Sequence, residues 1–286
     1  MNVALVGSCG YISQFLQRRF QKEKIINNVL KIGRADNSDI KFNLLNPEEF
    51  DYQILKEIDF VVFTAAVSSP DICDLEYDLC WKINVDGTKY FIRRAIENNC
   101  KVLFFSSDAV FGEQEDWINT EESKTSAKTA YGKMKKEIED TFGMCKQFKA
   151  IRLSYVVSAK DKFVKYCMEC MEKEQVAEIF HPFYRNCITI SDVIDVVMWM
   201  LKNWNKYDPY VLNVGGMELV SRIRIADELN RIWKDKLQYT IISPGVDFYK
   251  NRPRITEIKS LYLYRCGILD NACFSDKFRK ELEEKK

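Results

Sequence analysis

Strand, glycine turn, helix and strand follow one another within the first 32 residues, and that order constrains the fold more than any other feature. Val3–Val6 is an apolar run of strand length. Ile12, Phe15, Leu16 and Phe20 then recur at helical spacing, and Val29–Ile32 is a second apolar run. Between the first strand and the helix lies Gly7-Ser8-Cys9-Gly10-Tyr11-Ile12-Ser13. Without side chains, the two glycines let the backbone approach a pyrophosphate, whose charge meets the N–H groups and positive end of the helix. Ser13 stands where a third glycine is usual, a small residue expected to loosen helix–sheet packing slightly without blocking it.

The alternation continues. Asn46-Pro47-Glu48-Glu49 supplies a cap, a proline suited to a first helical turn and acids that suit the helix dipole, with Phe50 and Ile54 as its buried face. Residues 59–64 read as a strand, Leu75–Asn99 as helix with a break near Asn84, residues 101–106 as a strand and Ala150–Ser154 as another. Strands alternating with helices predict a parallel sheet covered on both faces, a Rossmann-type doubly wound α/β fold. Beyond residue 150 come a helix over Asp192–Lys202, a strand over Val211–Val214 and a helix over Ile223–Trp233 capped by Ser221. No Pro/Gly/Ser-rich linker interrupts the chain. The expected organisation is a dinucleotide-binding Rossmann domain over 1–155 and a smaller C-terminal substrate-binding lobe over 156–286, with segments around 187–202 returning to the first domain. The closing Lys277–Lys286 run reads as a solvated, frayed end.

Composition narrows the function classes. At 286 residues and 47% hydrophobic the chain can bury a sizeable core, and a net charge of +1 gives no electrostatic case for nucleic acid or an acidic membrane. No segment approaches the ~20 apolar residues of a membrane span, and the first residues lack a basic leader, so a soluble cytoplasmic protein is expected. The ten cysteines follow no repeating framework and read as reduced thiols. Cys167 and Cys170 form a Cys-x-x-Cys in what reads as mid-helix, which suits neither a redox pair nor a zinc site. His181 is the single histidine and reads as structural, so no metal site is expected.

The chemistry centres on Tyr131 and Lys135, four residues apart, with Ser107 at the end of an apolar run 24 residues before the tyrosine. On a helix the lysine falls on the tyrosine's face one turn later. A free phenol has a pKa near ~10, and a neighbouring cation brings it into range for acid–base work. Alone, the spacing also fits a solvated lysine-rich helix with one half-buried tyrosine. At the end of the second strand, Arg34 suits the 2′-phosphate of NADP(H), while Asp36 keeps NAD(H) open.

Five elements stand in the order and spacing of the extended short-chain dehydrogenase/reductases. They are the glycine turn, Thr64-Ala65-Ala66, Asn84-Val85-Asp86-Gly87-Thr88, Ser106-Ser107-Asp108-Ala109-Val110-Phe111-Gly112 and Tyr131-x-x-x-Lys135. Within that superfamily of epimerases and dehydratases the chain resembles the dTDP-4-dehydrorhamnose reductase branch. The likeness there rests on residues 65–71, on Gly215-Gly216 with Val220-Ser221-Arg222, and on Arg252-Pro253.

The resemblance implies that Tyr131 exchanges a proton with a carbonyl oxygen as hydride moves to or from the nicotinamide. Lys135 would lower the tyrosine pKa and bind the nicotinamide ribose, and Ser107 would hydrogen-bond the same oxygen. It implies cofactor contacts at Gly7, Gly10, Tyr11, Ile12, Arg34, Asn43, Leu44, Thr64, Ala65 and Ala66, besides Tyr131 and Lys135. Substrate contacts are implied at Ser68, Asp108, Arg185 and Arg252. Related dehydratases place an Asp-Glu pair after the catalytic hydroxyl; here Ala109 replaces the glutamate, so dehydration loses its base. The expected activity is reduction of a keto group, at C4, of a nucleotide-activated deoxysugar, by a homodimer formed through helices around Ile83–Asn98 and Tyr131–Phe142. A nucleotide-sugar epimerase with retained NAD, and a non-catalytic regulatory or scaffold relative, are the alternatives.

Overall fold

A computed structural model describes residues 1–112, 118–234 and 236–283. The chain divides into two units: Met1–Val110, Thr125–Arg152 and Met200–Leu212 form the first, and Phe111–Lys124, Leu153–Trp199 and Asn213–Lys286 the second. The units interleave along the chain rather than following one another.

The first unit is built on strands β1 (Asn2–Val6), β2 (Asn28–Gly33), β3 (Ile40–Lys41), β4 (Phe60–Phe63), β5 (Lys101–Ser107) and β6 (Phe148–Leu153), with Val211–Val214 at the edge. Their order in the seven-stranded sheet is Val211–Val214, β6, β5, β4, β1, β2, β3. The pairs β1–β2, β1–β4, β2–β3 and β4–β5 run parallel, as a doubly wound Rossmann-type sheet requires. Val3 to Val6 are all buried, because a strand covered on both faces must be apolar throughout rather than at alternate positions. The register sets Val6 beside Ile32 and Phe63, and Phe63 beside Phe104. The carboxyl ends of β1, β4 and β5 therefore share one edge, and the strand order reverses between β1 and β4, where ligands of such sheets bind.

Helices cover the sheet: α1 (Tyr11–Phe20), α2 (Pro70–Leu75), α3 (Tyr77–Trp81), α4 (Thr88–Glu97) and α5 (Ala130–Phe142). Phe91, Ile92 and Ala95 of α4 and Ile138 and Phe142 of α5 join one core with Ala4, Val61, Phe63, Val102 and Phe104. Each fully buried Phe or Ile of this kind contributes about 1.5–3 kcal/mol.

The break expected near Asn84 is present as π-helical Lys82–Gly87 between α3 and α4, and Gly87 there packs on the Leu44 carbonyl, where a Cβ would collide. Two local expectations are corrected. Pro47–Glu49 is a single 3-10 turn, the Asn46 side chain donates to Glu49 instead of capping the backbone, and Tyr52 and Leu55 bury where Ile54 was expected. Ser13 does not loosen the packing: it is fully buried and its hydroxyl lies 2.7 Å from the Thr64 hydroxyl.

In the second unit, α6 (Lys162–Glu172) and the helix Arg222–Trp233 pack with two short sheets, Ala177–Phe180 beside Tyr239–Ile242 and Tyr184–Arg185 between Val220–Ser221 and Ile255–Thr256. Ser221 caps Arg222–Trp233 by accepting the Arg224 N–H at 3.1 Å. Cys167 and Cys170 lie within α6, buried and free. The frayed end expected over Lys277–Lys286 is instead helical as far as Glu283, within Phe274–Glu283. Phe274 and Phe278 enter the core with Leu229 and Val164, and that apolar pair is what the charged composition concealed. Residues 284–286 of that expectation lie outside the described residues. No helix among the described residues is long and apolar enough to cross a membrane.

Candidate active site

The turn after β1 has the shape of a cradle. Gly7 adopts φ +87°, and a Cβ there would stand 2.7 Å from the Ala65 nitrogen and 2.8 Å from the Thr64 hydroxyl, so only glycine fits. The Gly7 and Ser8 amides donate to the Ile32 carbonyl at 2.9 and 3.2 Å, and Gly10 donates back to Gly7 at 2.9 Å. Thr64 closes the turn by donating its hydroxyl to the Val6 carbonyl at 2.8 Å. Gly10 is the cap residue of α1, no side chain caps that helix, and its first turn carries no acid. Its positive end is therefore shaped for an anion. The half-buried Tyr11 and Ile12 open the helix, and Ala65 and Ala66, also half-buried, follow Thr64. The residues fit a dinucleotide pyrophosphate.

Arg34, just past β2, is exposed. Asp36 is exposed too, but its carboxylate is paired with the Lys41 ammonium at 2.6 Å. Asn43 is exposed and its side-chain oxygen accepts the Leu45 N–H at 3.1 Å, while Leu44 is buried beneath it.

The chemical residues come from β5 and α5. Thr129 caps α5 by accepting the Gly132 N–H at 3.1 Å, and Ala130, Met134, Ile138 and Phe142 form its buried stripe at four-residue spacing. Tyr131, Lys135 and Glu139 make the adjacent stripe. Two contacts fasten this helix to β5 and the turn after it: the Lys135 ammonium donates to the Phe105 carbonyl at 2.7 Å, and Gly132 packs on the Ala109 carbonyl where a Cβ would collide. Lys135 is buried, 4.5 Å from the Phe104 ring centroid and 5.6 Å from that of Tyr131. Ser107, the last residue of β5, donates its hydroxyl to Asp108 at 3.0 Å and accepts the Ala109 N–H at 3.2 Å. Tyr131, Lys135, Ser107 and Asp108 are thus gathered at one edge of the first unit's sheet.

Burial dominates their electrostatics. Burial pushes the Tyr131 phenol above its ordinary range, with Cys73 and Asp108 adding to the rise. The same burial lowers Lys135 to about 7, against the opposing influence of Cys73 and Glu139. With both groups buried, the phenol holds its proton at neutral pH and the Lys135 ammonium sits close to its titration point.

Four supporting residues were given no side-chain role by the sequence reading. Asn84 is buried in the π-helical turn and pairs twice with Val67, accepting its N–H at 2.8 Å and donating to its carbonyl at 2.9 Å. That fixes the chain just before Ser68, which is itself exposed. Cys73 is fully buried beside Tyr131, and burial raises its thiol to about 12. Glu139 and Arg152 form a buried ion pair at 2.6 Å. Glu139 carried a signal, since it falls one helical turn beyond Lys135; Arg152, on β6, carried none.

Two residues expected to meet substrate lie in the second unit. Arg185 is buried and its guanidinium donates to the carbonyls of Tyr184 at 2.6 Å and Pro253 at 2.7 Å, so it ties strands together. Arg252 is half-buried, 5.2 Å from the Phe248 ring centroid. Among the described residues no group of three or more His, Cys, Asp or Glu could hold a metal ion.

Comparison with known proteins places this geometry. The family model described as the RmlD substrate binding domain matches residues 1–245. Among solved structures, a dTDP-4-dehydrorhamnose reductase from Clostridium acetobutylicum is 20% identical, with a TM-score of 0.83 over 99% of this chain and 99% of that one. A dTDP-4-dehydrorhamnose reductase from Bacillus anthracis, in complex with NADP, is 17% identical, with a TM-score of 0.83 over 100% and 99%. A UDP-glucose 4-epimerase from Thermotoga maritima, with UDP-glucose, is 15% identical, with a TM-score of 0.83 over 99% and 98%. At these identities the likeness establishes the fold. No curated protein sequence matches the chain.

Proposed function

This chain belongs to the RmlD substrate binding domain family, and from that premise we propose that it reduces a keto group, at C4 of a nucleotide-activated deoxysugar, with NADP(H) preferred over NAD(H). The observation that carries the reading is the pairing of Tyr131 and Lys135 one turn apart on a helix fastened to the Ser107 strand, at the sheet edge that also holds the Gly7 turn.

The reduced nicotinamide, when bound, supplies the hydride to the keto carbon. The residues of the chain handle the oxygen. As the carbon gains hydride, negative charge grows on the carbonyl oxygen, and donors already in place stabilise it. Tyr131 gives that oxygen its phenolic proton; a phenol held above its ordinary range keeps the proton until it is needed. Ser107 is the second donor, turning its hydroxyl from Asp108 to the substrate oxygen. Lys135, fixed to the Phe105 carbonyl, has further N–H donors for the ribose of the cofactor. Ala109 offers no carboxylate, which favours reduction over elimination of water.

The exposed Arg34, with Asp36 turned to an ion pair with Lys41, supports the preference for NADP(H). A fluorescence thermal-shift panel tests the reading, with NADPH and NADH each offered alone and with dTDP- and UDP-sugars. Stabilisation by NADPH beyond NADH, increased by one of the nucleotide sugars, is expected. A melting point unmoved by any dinucleotide would overturn it.

A further inference from the structure

Lys135 is a cation with little water around it, and the groups that face it can be named. From β5 come the Phe105 carbonyl and the Phe104 ring; from α2, the Cys73 thiol; from α5 itself, the Tyr131 ring and Glu139. Three of these can carry negative charge. Cys73 does not at neutral pH, because burial raises its thiol to about 12. Tyr131 does not either, since its phenol is held up by burial, Cys73 and Asp108. Among the described residues, the Glu139 carboxylate is the resident anion left to face Lys135.

Glu139 is held with unusual completeness. Arg152 donates Nε to Oε1 at 3.1 Å and to Oε2 at 3.0 Å, and Nη2 to Oε2 at 2.6 Å. Ser106, next to the candidate catalytic Ser107, donates its hydroxyl to Oε1 at 2.5 Å. Both charged side chains are buried, and the Glu139 and Arg152 charges also reach the exposed Tyr210. A bidentate arginine and a hydroxyl fix a buried carboxylate in direction. An apolar pair would have served packing equally well, because buried ion pairs seldom add net stability over hydrophobic residues of the same volume. The charge therefore calls for a purpose beyond filling space. Tyr131, Lys135 and Glu139 occupy successive turns of one face of α5, which places the anion one turn past the lysine, on the side away from the tyrosine.

We propose that Glu139 is a positioning residue: clamped by Arg152 and Ser106, its carboxylate lies one turn beyond Lys135 and favours the ammonium form that is anchored on the Phe105 carbonyl, one helical turn from Tyr131. The proposal rests on the reading of Lys135 as the ribose-binding cation of the proposed function. The chain thereby holds a buried relay in which a charge on β6 sets the state of a side chain on α5. Arg152 secures the anion, the anion favours the ammonium form of Lys135, and the lysine presents its remaining N–H donors.

The test measures Lys135 directly and does not depend on turnover. The full-length protein is labelled at the lysine side-chain carbons, the Lys135 signal is assigned by its loss in Lys135→Arg, and its titration is followed by NMR in the wild type, Glu139→Gln and Glu139→Asp. Glu139→Gln is expected to lower the Lys135 midpoint by about one to three pH units, and Glu139→Asp, which keeps the charge, to restore most of that change. An unmoved midpoint in a folded Glu139→Gln variant overturns the proposal, as does a midpoint that falls equally in Glu139→Asp. If Glu139→Gln does not fold, Glu139→Gln/Arg152→Met removes both buried charges together. Its midpoint must still fall below that of the wild type, and an unchanged midpoint overturns the proposal. Binding of NADPH, measured on the wild type by its fluorescence, separates the two claims: no binding removes the proposed function while leaving the titration to decide the role of Glu139.

Discussion

Gly132 lies against the carbonyl oxygen of Ala109, in the space that any side chain on residue 132 would fill. This contact joins the two segments that carry the chemistry, since Ala109 follows Ser107 and Asp108 while Gly132 separates Tyr131 from Lys133. The glycine costs its helix about 1 kcal/mol relative to alanine, and close approach to the turn after β5 is what that cost accompanies.

Gly132→Ala should therefore destabilise the protein despite its better helix propensity. Pushing α5 off the Ala109 carbonyl is expected to cost about 1–3 kcal/mol net, read as a lower midpoint in urea. A variant as stable as the wild type would show that the helix can move at no cost.

Asn84→Ala should cost about 1–3 kcal/mol, because the Val67 N–H would be left without its side-chain partner, while the Val67 carbonyl keeps the Cys73 thiol at 3.2 Å. Chemical denaturation measures the loss. Amide exchange should also quicken around residues 65–69, the segment that Asn84 fixes.

Lys135 makes stability depend on pH in a defined direction. Its ammonium loses its proton near pH 7 in the folded chain and near 10.5 when unfolded. Between those values the unfolded chain holds the extra proton, so the wild type gains stability as pH rises, by about 1.4 kcal/mol per pH unit. Below pH 7 both states are protonated and the full penalty is present. Lys135→Met lacks this dependence: its stability relative to the wild type should be highest below pH 7 and decline toward 10.5. Urea midpoints across that range test it, and a constant difference would contradict a buried lysine of lowered pKa.

Arg34→Glu should weaken NADPH binding by about 10- to 100-fold, the loss of a charge-assisted contact to a phosphate, while NADH binding changes little. Cofactor fluorescence titrations read both. Equal losses for the two cofactors would remove Arg34 from the 2′-phosphate.

Much of this was legible in the sequence because it is written locally. The first strand, the Gly7 turn and α1 follow one another without interruption, Ser221 caps its helix as its position predicts, and the Tyr131–Lys135 spacing needs only a helix. What was not legible depends on partners distant in the chain. Arg152 meets Glu139 only because β6 lies beside β5, and Asn84 meets Val67 only because the π-helical turn brings it there. Arg185 has the chemistry of a phosphate ligand, yet it donates to carbonyls 68 residues away and next door. The terminal helix was hidden for a simpler reason: two phenylalanines among many charges define its buried face.

The most direct measurement is the loss of reduced-nicotinamide absorbance when the purified protein meets NADPH and a nucleotide 4-keto-6-deoxysugar. The account predicts one NADPH consumed per keto group reduced, with Tyr131→Phe slower by about 10²–10⁴-fold at nearly unchanged NADPH affinity. A protein that binds NADPH yet oxidises none with any nucleotide keto sugar, or a Tyr131→Phe variant as fast as the wild type, would contradict it.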